Sequence, residues 1–96
     1  MDFEKFSQSI KSDQTVPAVL NVHLKALWFE GKGDWNRAHD LIDQLDDQTS
    51  AHVHAYLHRV EGDLWNAKYW YGRAGQPVYK GDLADEWQEL VKMLLG

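Results

Sequence analysis

Gly33-Asp34-Trp35-Asn36-Arg37-Ala38 and Gly62-Asp63-Leu64-Trp65-Asn66-Ala67 echo each other at a spacing of 29 residues. Gly, Asp and Ala coincide, and a large apolar residue follows each Asp. Each glycine closes one helical pattern, and each aspartate can accept backbone N–H groups at the start of the next. A repeat of this size implies stacked helix-turn-helix units, because one such unit cannot bury its apolar face alone.

Upstream of the first copy, Val19, Leu20, Val22, Leu24, Ala26, Leu27, Trp28 and Phe29 place apolar residues on almost every side of a helix running to about Glu30. That pattern predicts a central element. Thr15 is expected to cap it, with Pro17 in its first turn. Before it, Phe3, Phe6 and Ile10 predict a short amphipathic helix ending near Ser12-Asp13-Gln14. After Asp34 the third helix buries Trp35, Ala38, Leu41, Ile42 and Leu45. Asp46-Asp47-Gln48 forms a loop, and Thr49 or Ser50 is expected to cap a fourth helix. That helix interleaves Ala51, Val53, Ala55, Tyr56, Leu57 and Val60 with His52, His54 and His58. The fifth runs from the second Gly-Asp turn to about Ala74, where Gly75-Gln76-Pro77 breaks it. Gly81-Asp82 opens the last helix, which buries Leu83, Trp87, Leu90, Val91 and Leu94 and turns Asp85, Glu86, Glu89 and Lys92 to water. The expectation is one all-α domain over 1–96. An N-terminal helix (1–15), a first repeat (16–48), a second repeat (49–76) and a C-terminal capping helix (77–96) make an α-α superhelix of about six antiparallel helices.

Composition narrows the function. Ninety-six residues suffice for one core, and 44% apolar residues with five tryptophans exclude a disordered tail. No apolar run approaches the roughly 20 residues that span a bilayer. The acidic start Met1-Asp2-Phe3-Glu4-Lys5 does not resemble a signal peptide. Without cysteine there is no disulfide, thiolate zinc site or cysteine nucleophile, and a cytoplasmic setting is expected. Net charge is −5, with Asp40, Asp43, Asp46 and Asp47 grouped together. No helix offers the basic face that nucleic acid requires.

The two copies resemble the tetratricopeptide repeat over roughly residues 19–75. Ala26 and Ala55 fill the family's small-residue slot on the first helix of each pair, and Ala38 and Ala67 the slot on the second. Ile42 and Tyr71 take the large apolar position that follows, and Phe29 the aromatic one. The family's period is about 34 residues, so the units here are shorter by roughly one turn. The resemblance implies a non-catalytic module whose concave groove binds a protein or peptide segment, without a cofactor. Its groove residues would be Leu20, His23, Leu27 and Glu30, then Thr49, His52, Tyr56 and Arg59. Helix 1 or helix 6 folding across the groove would fill it.

Two further constellations stand out. His54, His58 and Glu61 fall at i, i+4 and i+7, a stripe that zinc or nickel accepts. This makes a metal-binding helical protein the alternative reading. Imidazoles packed between helices are the plainer one. Trp65 and Tyr69 lie one turn apart, away from the core stripe of Leu64, Ala67, Tyr71 and Ala74. The terminal helix is expected to cover them through Trp87 and Leu90. Left bare, they would form an interface for a partner or for a homodimer. No phosphate loop, nucleophile elbow or dinucleotide fingerprint is present.

Overall fold

The computed structural model describes residues 1–96 and is all-α. Its helices are α1 (Phe3–Ser12), α2 (Val22–Gly31), α3 (Trp35–Ile42), α4 (Gln48–Val60), α5 (Leu64–Ala74) and α6 (Leu83–Leu95). No helix is long and apolar enough to cross a membrane.

The echoed turns fold alike, down to the hydrogen bond. Gly33 and Gly62 take φ of +89° and +83°, the left-handed region open to glycine. In the first turn Gly33 N–H donates to Glu30 O and Asp34 N–H to Phe29 O. In the second, Gly62 N–H donates to Arg59 O and Asp63 N–H to His58 O. Both are Schellman closures, which satisfy carbonyls that a helix end leaves free. The aspartate that completes each closure also caps the following helix, accepting from Arg37 N–H at 3.1 Å or Asn66 N–H at 3.2 Å. Two residues thus end one helix and start the next, so α2 pairs with α3 and α4 with α5.

Small residues sit where the paired helices meet. Ala26 and Ala38 are fully buried in a core with Phe6, Leu27, Trp28, Ile42, Leu57 and Val91. Ala55 and Ala67 are buried with Tyr71 in a second, smaller cluster. Indole N–H groups tie the layers together. Trp28 donates to Ser9 Oγ on α1 at 3.0 Å, Trp35 to Leu57 O on α4 at 2.6 Å, and Trp87 on α6 to Leu27 O at 3.0 Å.

Two boundaries differ from expectation. The central helix does not start at Thr15 with Pro17 in its first turn. Pro17 O instead accepts from Leu20 N–H in a turn, and Asn21 caps α2 by accepting from Leu24 N–H at 2.9 Å. Val19 is accordingly 79% exposed. The fourth helix is capped by Asp47 rather than Thr49 or Ser50. The Asp47 carboxylate accepts from both the N–H and the hydroxyl of Ser50, at 2.9 and 2.6 Å. Those bonds hold its pKa below the usual carboxylate value.

Candidate functional site

The face of α2 and α4 that the repeat resemblance assigns to a groove lies under α6. Leu27 is fully buried, Leu20 and Tyr56 nearly so, and Tyr56 donates to Glu30 Oε1 at 2.7 Å. Burial raises the Glu30 pKa, and the Tyr56 bond opposes that rise. His23 is engaged by Ser50 Oγ at 2.8 Å and by Asp47 Oδ2 at 3.3 Å.

A buried ion pair fixes α6 there. Glu86 was expected on the water face, yet it is 1% exposed. Arg59 donates to its Oε1 at 2.7 Å and, with its other nitrogen, to Gly81 O at 2.8 Å. The Tyr71 hydroxyl donates to Oε2 at 2.5 Å. Both carboxylate oxygens are therefore occupied. Burial works against the Arg59 charge, but Glu86 outweighs it and raises the Arg59 pKa. Burial and the bond to Glu86 raise that of Tyr71.

Clefts lie on both sides of α6. One, of about 550 Å³, runs between the 76–80 segment and α6 and is lined by His52, Tyr79, Glu86, Glu89, Leu90 and Met93. Desolvation lowers the His52 pKa there, against the pull of Glu86. The other, of about 510 Å³, lies between α1 and α6 and reaches Glu30 and Tyr56.

On α4 the structure brings together His54 and His58 and adds His39 from α3, which sequence spacing did not reveal. Each of the three offers a nitrogen within 4.8 Å of the others. His39 Nε2 and His54 Nε2 are 3.0 Å apart. The His54 ring is stacked between His58, at 4.9 Å, and Trp70, at 3.9 Å. Trp35 stacks on His39 at 4.9 Å. Glu61 joins through His58, whose Nδ1–H donates to Oε2 at 2.6 Å, leaving Nε2 with its lone pair. His54 is 3% exposed, and its Nδ1 has no partner. Burial first, then the neighbouring His39 and His58, lowers the His54 pKa to about 4.

Trp65 and Tyr69 are not covered by α6. Trp65 is 78% exposed and Tyr69 50%, and Leu64, expected in the core stripe with Ala67, Tyr71 and Ala74, is instead 67% exposed at the first position of α5. Trp87 is engaged elsewhere, against Phe3 and Phe6 at centroid distances of 5.9 and 5.8 Å. The only helix that packs closely along α5 is α4. Arg73 lies over the Trp70 ring at 5.4 Å and donates to Tyr69 Oη at 3.1 Å. The arrangement defines a small six-helix protein with one face closed on itself and one helix bare on its outer side. The chain matches no protein-family model, no curated protein and no solved structure.

Proposed function

We infer that this chain is a cytoplasmic interaction module, similar to tetratricopeptide repeats, without chemistry of its own. It recognises a protein segment on the outer face of α5 rather than in the concave groove. The observation that carries the reading is the exposed pair Trp65 and Tyr69, with Leu64 bare beside them at the helix start, on a helix packed along one side only. Isolated apolar residues on a surface need no explanation, but two large aromatics and a leucine on one bare helix do. In a stack of helical hairpins, that side is where the next unit would pack.

Charge narrows the partner. Lys68 and Arg73 lie on α5, which carries no acid, in a chain of net charge −5. An amphipathic helix with an apolar stripe and flanking carboxylates complements both features. The one fully buried carboxylate, Glu86, is fully bonded and does not stand ready for proton transfer.

The test installs a photoreactive amino acid at position 65, maps the crosslinked segment, and measures binding of that purified segment to wild type and to Trp65→Ser/Tyr69→Ser. Two aromatic anchors at about 2 kcal/mol each predict a loss of at least about 30-fold, after allowing for non-additivity. The fold should be unchanged by circular dichroism. Equal affinity of both proteins would remove α5 as the recognition surface. Crosslinks to a second copy, with dimerisation lost in the double variant, would assign the face to self-association.

A further inference from the structure

We propose that His39, His54 and His58 form a binding site for a divalent transition-metal ion of the zinc type. This does not depend on how α5 is used. Neutral imidazole is a preferred ligand of such ions, at a metal–nitrogen distance of about 2.0–2.1 Å. Two ligands of a tetrahedral ion at that distance lie about 3.3 Å apart. The Nε2 atoms of His39 and His54, at 3.0 Å, are within a few tenths of an ångström of that spacing. His58 completes the set from the next turn of α4, its ring 4.9 Å from that of His54 and 5.7 Å from that of His39.

The surroundings match what metal histidines usually have around them. An imidazole ligand is oriented by a carboxylate on its other nitrogen, and Glu61 does this for His58 at 2.6 Å. Asp43 Oδ1 lies 3.7 Å from His39 Nε2, beside the cluster and outside the set of three nitrogens that approach one another. Without an ion the cluster satisfies its own nitrogens poorly. The facing Nε2 atoms of His39 and His54, 3.0 Å apart, can share only a single hydrogen. The rings Trp35 and Trp70, stacked on His39 and His54, fix the ligands from outside.

The experiment uses untagged full-length protein dialysed against chelator. Zinc is titrated calorimetrically, and cobalt(II) serves as a visible-absorption probe of tetrahedral nitrogen coordination. One saturable ion per chain is expected. His39→Ala and His58→Ala, at positions less buried than His54, should each weaken it at least about 100-fold, since losing even an outer partner costs about 10–100-fold. Glu61→Gln should fall in that 10–100-fold range, and His23→Ala should change nothing. No saturable binding, or binding that survives both alanine variants, overturns the site. Binding lost on His23→Ala instead would assign the ion to surface imidazoles and overturn it equally.

Discussion

Replacing Glu86 with glutamine should undock α6 from the face it covers. The substitution keeps shape and leaves an acceptor for Tyr71, but removes the charge opposite Arg59. Glu86's side chain is 2% exposed and that of Arg59 14%, so this pair lies in the buried class rather than the surface class. Breaking a buried pair from one side costs about 3–5 kcal/mol, against about 0–1 kcal/mol for an exposed pair. Arg59 retains its bond to Gly81 O and some solvent, which places the expected loss near the low end, about 3 kcal/mol. A domain of this size has about 5–14 kcal/mol in total, and each kcal/mol moves Tm by about 4–8 °C. The expected drop in Tm is therefore about 12–24 °C. Urea midpoints give the free energy, and amide exchange across α6 shows whether that helix opens before the rest. Arg59→Met/Glu86→Met should recover most of the loss, since two apolar side chains leave no stranded charge. A cost below about 1 kcal/mol for Glu86→Gln, equal to that of a surface pair, would refute the view that this contact seals the groove.

At the turns, Gly33→Ala and Gly62→Ala should each cost about 1–2 kcal/mol by urea denaturation, a purely conformational penalty because an added Cβ meets no atom within 4 Å. Asparagine at either position should cost less, and equal losses for Ala and Asn would contradict this account. Acid should weaken the chelator-treated protein. The His54 pKa falls from 6.5 to about 4 on folding, so the unfolded chain binds a proton that the folded one refuses. This stabilisation is complete above about pH 6.5 and is lost as pH falls toward 4, by roughly 3 kcal/mol at most. His52, lowered by burial, acts in the same direction, and a flat profile between pH 7 and 5 would refute both.

The fold was legible where the signal was local. Glycine at positive φ followed by a capping aspartate needs only neighbouring residues, so both hairpins could be read from six-residue stretches. The start of α2 misled because Thr15-Val16-Pro17 and Asn21 are competing start signals, and the hydrogen bond that Asn21 Oδ1 accepts from Leu24 N–H decided between them. What depends on distant contacts was not legible. Glu86 reads as a water-facing residue of an amphipathic helix until Arg59, 27 residues earlier, is brought to it. His39 looks like a polar position on α3, and only the packing of α3 on α4 places it against His54. The bareness of Trp65 is a tertiary property too, fixed by where α6 docks.

That docking gives the molecule its polarity. In helical stacks the terminal element ordinarily covers the last unit with a polar outer face. Here α6 spends its apolar stripe on α1, α2 and α4, with Trp87 bonded to Leu27 O and Glu86 to Arg59. The groove is closed by the same choice that leaves α5 uncapped. A chain selected for monomeric solubility alone would favour charge at positions 64 and 65, which are 67% and 78% exposed. Leu64 and Trp65 stand there instead, as the proposed recognition surface on α5 requires. The histidine cluster lies under the same helix, with Trp70 of α5 stacked on His54, so an ion bound there would brace the helix that carries the exposed Leu64, Trp65 and Tyr69.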